Sequence, residues 1–449
     1  MRLGQCLLGV SGAGSALLLA LAACSGSSDA MFAPVVKSDA AVGGAGGTSS
    51  GGSGGTSQGG SSGQGGTAAG GTSQGGAGGG PAGAGGGVAG SGGSGGCTYT
   101  DSTDHDGDGW SFVDGDCNDC DPAVNPGAFD GVGPVGKVGV DDDCDGTPDN
   151  GTTECDTGLM LEDGDPLNAA RAIGLCAKTD AGATGKDKRW GVIGAAYVAA
   201  DGTAAMNPTS HGITDKFGAA NPQQGPAMLV LSSGTARSPV QPGYQSPGGA
   251  DMGTQSAMPA GFPKGSTLCP GVSPPVKPAY DPAALQVQVR VPTNARAFTW
   301  RFNFYSYEFP DYVCSEFNDV FTVFVDPKPP SATTSDIVFD AAGNSISVNT
   351  DLLQVCGAQT AGGHAFACPL GKSLLAGTGF DLASGAQADH AATGWLATQA
   401  PTEPGAIITL RFAIWDAGDH VLDSTVLIDA FEWMANTTPI STTPVASPK

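Results

Sequence analysis

Between residues 97 and 156 the chain carries sixteen Asp and Glu against one lysine, Lys137, with Cys97, Cys117, Cys120 and Cys144 set among the acids. The densest part, DHDGDGWSFVDGDCNDCDP, spans residues 104–122. A segment so charged and so poor in large apolar side chains cannot build a hydrophobic core of its own. Either its carboxylates repel one another into a solvated tail, the usual fate of an acidic run, or a cation gathers them. In a chain of net charge −24, this density also argues against nucleic acid and anionic surfaces as partners.

The spacing favours the cation. Asp104, Asp106 and Asp108 take positions 1, 3 and 5 of a loop whose sixth residue is Gly109. Alternate carboxylates can then converge on one ion while glycine takes the sharp turn, and Trp110 offers its backbone carbonyl at position 7. Asp116, at position 13, is the candidate that completes the shell. The pattern recurs with Asp141, Asp143 and Asp145 before Gly146, followed by Thr147 at position 7 and Asp149 at position 9. Neither loop has the glutamate at position 12 that an EF-hand requires, and no helical pattern flanks either one. The all-oxygen donor set, with His105 at an even position facing away, predicts a hard cation. The high ligand count favours calcium over magnesium.

These residues carry a resemblance. DHDGDGWSFVDGDCNDCDPAVNPGAFD, followed by VDDDCDGTPDN, resembles a metal-binding motif of many secreted proteins of myxobacteria and related Gram-negative bacteria. The motif runs D-x-D-G-D-G, G-D-C-x-D, D-P, P-G-A and D-x-D-C-D-G. Cys120 is additional to it, and Gly131 to Gly139 replaces a shorter connection. The resemblance also implies copper as an alternative ion, which the absence of a His, Met or free thiolate cluster disfavours.

The first residues predict a processing signal: Arg2, an apolar run from Ala16 to Ala22, then Leu21-Ala22-Ala23-Cys24, which resembles a bacterial lipobox. By that resemblance residues 1–23 are removed, and Cys24 carries acyl chains that anchor the protein to a membrane without spanning it. Ser25 after the cysteine favours sorting to an outer membrane, and hence a cell-envelope or cell-surface location. Of the 12 cysteines, ten remain once Cys6 and Cys24 are set aside, an even number that predicts disulfides in an exported chain. Four fall before residue 150 and six after it, so each part can close its own bridges. Proximity suggests Cys155 with Cys176 and Cys356 with Cys368.

An anchor-proximal segment over 24–42 leads into residues 43–96, almost wholly Gly, Ala, Ser, Thr and Gln. Such a segment cannot offset its ordering entropy and predicts a disordered tether whose ends lie roughly 40 Å apart on average. It contains Gly55-Thr-Ser57-Gln-Gly59 and Gly71-Thr-Ser73-Gln-Gly75, which match the nucleophile pattern of serine hydrolases by letter only. Neither has the strand and helix that hold such a turn.

From residue 151 to 436 the composition becomes ordinary and the period is two. Leu285, Val287, Val289 and Val291 alternate with polar residues, as do Phe298, Trp300, Phe302 and Phe304, and Ile408, Leu410, Phe412 and Ile414. Each run predicts a strand with one wet face, and many of them between Pro and Gly turns predict a mainly β fold, an antiparallel jelly-roll-like β-sandwich with few short helices. One helix is expected at DPLNAARAIG, capped by Asp165, opened by Pro166 and ended by Gly174. Residues 437–449 are expected to be a disordered tail.

DPLNAARAIGLC, MLVLSSGTAR, FNFYSYEFPDYVCSEFNDVFTVFV, ISVNT, TGWL and LRFAIWDAGDHVLDSTVLIDAFEW together resemble the choice-of-anchor L domain over 156 to about 435. The resemblance implies surface display and a β-sandwich, and no particular activity. His211, His364, His390 and His420 show no paired ligand spacing and are expected as surface or loop residues rather than catalysts. The chain is therefore expected to be a non-enzymatic surface lipoprotein that binds a surface glycan or protein. The alternatives are a carbohydrate-active hydrolase using carboxylates near Glu308 and Asp319, or a purely structural envelope protein. Glu308 or Asp319 could instead join Asp416, Asp419 or Asp423 around a structural calcium. Tyr305, Tyr307, Phe309 and Tyr312 are candidates for a ligand face, although half of them must be core.

Overall fold

The computed structural model describes residues 97–131, 135–151, 154–203, 205–382 and 390–446. The expected signal peptide, Cys24 and the Gly-rich tether lie outside the described residues. The strands of the first half are β1 (Gly191–Val198), β2 (His211–Thr214), β3 (Met228–Ser232), β4 (Gln255–Ser256), β5 (Ala279–Arg290), β6 (Ala297–Ser306) and β7 (Val320–Asp326). Those of the second half are β8 (Gln359–Ala361), β9 (His364–Phe366), β10 (Ala391–Pro401), β11 (Ile407–Ala417), β12 (Ser424–Met434) and β13 (Ser441–Pro444).

Two antiparallel sheets form the sandwich. One is ordered β1-β5-β11-β7, with β4 pairing the start of β5, and the other β13-β10-β6-β12-β3-β2. Alternation decides what each strand gives the interior. Leu285, Val287 and Val289 of β5 and Leu410, Phe412 and Ile414 of β11 meet Phe298, Trp300, Phe302 and Phe304 of β6 and Val426 and Ile428 of β12 in one buried cluster. Trp300 meets Phe412 edge-on across the sheets at 5.7 Å, and Phe302 meets Phe321 at 5.0 Å. The expected wet face is found on β5 and the first half of β11, where Gln286, Gln288, Thr409 and Arg411 are half-buried.

The wet face is also found on the first half of β6, where Thr299 and Arg301 are half-buried, and is corrected from Asn303 onward. A second layer covers the outer face of the larger sheet, where Phe217, Leu375 and Phe380 pack on Tyr305, Tyr307, Trp395 and Leu427. Tyr305, Tyr307 and Phe309 are consequently core residues, and of the four proposed face aromatics Tyr312 alone reaches partial exposure. His211 stacks on Tyr197 at 3.8 Å and His390 on Tyr307 at 3.4 Å, both buried, so two of the four histidines are core side chains. The tail expected from residue 437 contains β13, whose Ser441–Pro444 pair with Leu396–Gln399 of β10; the exposed edge of β10 supplies the ladder that gives those residues a fixed conformation.

The short helix α1 (Pro166–Ala172) forms as its sequence requires: Asp165 accepts the Leu167 amide at 2.9 Å, Pro166 opens the first turn, and Gly174 leaves the helix at φ +98°. Among the described residues, five disulfides join Cys97–Cys120, Cys117–Cys144, Cys155–Cys176, Cys269–Cys314 and Cys356–Cys368. The acidic part and the sandwich each close their own, and both proximity pairings are observed.

The acidic part is docked on the sandwich. Phe129 exchanges two hydrogen bonds with the Asn294 side chain, at 2.9 and 3.0 Å, and its ring lies 5.4 Å from that of Trp190. Thr293 donates its amide to Gly127 and its hydroxyl to the Asn125 side chain.

Candidate metal centres

The two aspartate loops share one hydrogen-bond pattern. In each, the carboxylate at position 1 accepts the amide of the glycine at position 6: Gly109 to Asp104 at 3.0 Å, and Gly146 to Asp141 at 2.9 Å. The carboxylate at position 3 accepts the amide at position 5, Asp108 to Asp106 and Asp145 to Asp143, both at 3.2 Å. The carboxylate at position 5 accepts the amide at position 7, Trp110 to Asp108 at 2.8 Å and Thr147 to Asp145 at 2.9 Å. The turns close through Gly109 and Gly146 at φ +99° and +98°, a region that a side chain makes costly. The Cys117–Cys144 bridge links the segment after Asp116 to the residue before Asp145, stapling one loop to the other.

In the first loop Asp104, Asp106 and Asp108 each bring an oxygen within 4.8 Å of the others, and Asp106 forms a second such group with Asp116 and Asp119. One oxygen of each of Asp106, Asp108, Asp116 and Asp119 is buried without a hydrogen-bond partner. Burial, with the neighbouring carboxylates adding to it, pushes the Asp108 carboxyl up to about 6 and that of Asp116 to about 7. Both are the response of acids gathered without a counter-charge.

In the second loop the converging group is Asp130, Asp141 and Asp143. Asp145 turns aside to accept the Asn150 side-chain amide at 2.6 Å, and Asp149 accepts the Gly139 amide at 2.7 Å while keeping its other oxygen unpartnered. Burial pushes Asp143 up to about 6, and Arg189 stands 3.7 Å away. Thr147 contributes its amide to the loop turn. Trp110 is buried, and its indole N–H donates to the Gly185 carbonyl at 3.1 Å.

Asp119 and Asp130 were not among the ligands expected from spacing. Both stand in the quoted motif, in GDCND and PGAFD, and a ligand distant in sequence leaves no periodic signal. These groups of carboxylate oxygens could hold a metal ion.

The sandwich holds further acids. Asp251, Asp281 and His420 form another convergent group, in which Asp281 is fully buried and accepts the Met252 and Thr254 amides at 3.1 and 2.9 Å. Glu308 accepts the Asp319 amide at 3.1 Å; both residues are buried. The adjoining cavity, lined by Glu308, Tyr312, Phe317 and Asp419, measures about 110 Å³. It is smaller than the roughly 300–1,000 Å³ typical of small-molecule sites. A cleft of about 520 Å³ lies at the β8–β9 hairpin, lined by Asp351, Gln354, His364 and Phe366 and braced by Cys368.

The fold behind these sites is one displayed on a scaffold of two antiparallel sheets. Residues 229–432 match the family model of the choice-of-anchor L domain. The match begins in β3 and ends in β12, so it takes in central strands of both sheets and leaves out β1, β2 and β13. A choice-of-anchor domain with this architecture fits a cell-surface-associated protein. The acidic loops lie outside the matched range. No curated protein and no solved structure matches the chain. Among the described residues, no helix is long and apolar enough to cross a membrane.

Proposed function

We propose that this protein is a surface lipoprotein that holds a choice-of-anchor L β-sandwich away from the cell on an acylated Cys24 and a Gly-rich tether, with calcium stiffening the acidic module at the sandwich's base. The sandwich serves binding or adhesion to a surface glycan or protein rather than catalysis, and the outer membrane is the anchoring surface. The observation that carries surface display is the family match over 229–432. The cleft beside the β8–β9 hairpin, with its polar Asp351, Gln354 and His364 and its apolar Phe366, has the size and mixed lining of a ligand site.

The calcium part rests on the three amide contacts that the two loops share and on the unpartnered oxygens of Asp106, Asp108 and Asp116. Filling them would make the module a stiff joint, since its Asn125–Phe129 segment already bonds to Thr293 and Asn294 of the sandwich.

The test is a calorimetric titration of the oxidised full chain with calcium, magnesium and copper, repeated on Asp106→Ala and Asp143→Ala. Each substitution is expected to remove one calcium from the wild-type stoichiometry. Heat from copper alone, or calcium binding unchanged by both substitutions, overturns the calcium reading. Labelling of cells with a fatty-acid analogue, lost in Cys24→Ser, tests the anchor.

A further inference from the structure

Four acidic side chains meet at one end of the sandwich. Glu308 follows β6, Asp319 precedes β7, Asp416 lies near the end of β11, and Asp423 immediately precedes β12. Each is 1 or 2% exposed. The pairing of Trp415 with Val320, continued by the Asn318 amide bonding the Ala417 carbonyl at 3.1 Å, sets Asp416 beside Asp319 across neighbouring strands. The Ser424 hydroxyl donates to Asp319 at 2.8 Å, which brings in the start of β12 from the other sheet.

Two of the four lack a well-formed partner. Neither oxygen of Asp416 and neither oxygen of Asp423 receives a hydrogen bond of good geometry, although the Asp319 carboxyl lies against Asp416. The Ser233 hydroxyl beside Asp416 points to the Ser424 carbonyl at 3.4 Å, and the Ala250 amide approaches Asp423 without forming a bond. None of the four acids pairs with a Lys, Arg or His among the described residues.

Two other acids buried in the sandwich are satisfied. Asp281 takes two backbone amides, and Asp429 takes three, from Gln223, Gln224 and Ala430. An unpaired buried carboxylate is costly, so bare oxygens on Asp416 and Asp423 point to a missing partner. Asp251, Asp281 and Asp419 add negative charge around the same end. An all-oxygen set of this charge suits a hard divalent cation.

We propose that Asp319, Asp416 and Asp423, together with Glu308, hold one calcium ion that ties the two sheets together at the β11–β12 end of the sandwich. This site is separate from the aspartate loops of the acidic module and does not depend on them. No three of the four bring oxygens within 4.8 Å of one another as the loop acids do, so the carboxylates must draw together around the ion. The ion would therefore act as a clamp between strands.

The test counts calcium per full chain by native mass spectrometry after chelation and reloading, in a chain carrying Asp106→Ala and Asp143→Ala to silence the loops. That chain is expected to retain one calcium, and Asp416→Asn added to it is expected to lower the count to zero. Calcium is expected to raise the melting temperature of the first and leave that of the second unchanged. If the added Asn prevents folding, the count in the loop-silenced chain decides by itself. A count of zero there, or one calcium surviving both Asp416→Asn and Asp423→Asn, overturns the proposal. The loop reading fails on a different result, an equal count in wild type and the loop-silenced chain.

Discussion

The Trp110 indole N–H donates to the Gly185 carbonyl at 3.1 Å, 75 residues away, so a residue of the first aspartate loop is fastened to the sandwich. Trp110 is 3% exposed, Lys188 stands over its ring at 4.8 Å, and a side chain at Gly127 would meet the ring at 2.7 Å. The position expected to supply a backbone carbonyl to an ion therefore also latches the module.

Replacing Trp110 with Ala is expected to destabilise the docked module by about 3–5 kcal/mol, the usual cost of removing a buried Trp. Trp110→Phe keeps most of the packing, loses the hydrogen bond, and should cost about 1 kcal/mol. Hydrogen exchange of the 104–130 amides, compared with those of β5 and β11, would show whether the loss is local to the module.

Gly127→Ala should be destabilising by about 1–3 kcal/mol, because the added methyl is confined between Trp110 and Thr293 Cγ2, the latter at 3.1 Å. Pairing it with Trp110→Phe, which trims the opposing ring, should recover part of that loss in urea unfolding.

His211 gives the sandwich a pH dependence. Burial, with Arg237 adding to it, lowers its pKa to about 4 from the 6.5 of a free side chain. Between those values the unfolded chain binds a proton that the folded chain does not, so this residue's contribution to stability rises with pH across the interval and is flat above it. The change is expected to be about 2–3 kcal/mol between pH 4 and pH 7, and absent in His211→Phe, whose ring can keep the stack on Tyr197. Urea midpoints at pH 4.5, 5.5 and 7 measure it.

Asp429→Ala strips the acceptor from the Gln223, Gln224 and Ala430 amides. It is expected to cost about 2–4 kcal/mol, as buried donors lose their partner. Asp429→Asn retains an acceptor oxygen and should cost less. Thermal unfolding of the two variants side by side gives the order.

Removing the Cys155–Cys176 bridge, by Ser at both positions, is expected to lower stability by about 2–4 kcal/mol. The loop it closes spans 21 residues and contains α1, so protease cleavage between residues 157 and 175 should accelerate first.

Much of this protein is written locally. Alternation at Leu285–Val291, Phe298–Phe304 and Ile408–Ile414 defines strands because a pleated chain sends successive side chains to opposite faces, and Asp165-Pro166 with Gly174 brackets the helix because caps act on adjacent amides. The loop turns at Gly109 and Gly146 were legible for the same reason: a carboxylate reaches amides two to five residues on without help from elsewhere. Tertiary structure decided what distance in sequence conceals. Asn303 and Tyr305 alternate like surface residues, and only the second layer built from Phe217, Leu375 and Phe380 buries them. Asp130 joins Asp141 and Asp143 only when the module folds back on itself. Asp416 and Asp423 look like ordinary loop acids until two sheets close around them and remove the water that would have solvated their charge.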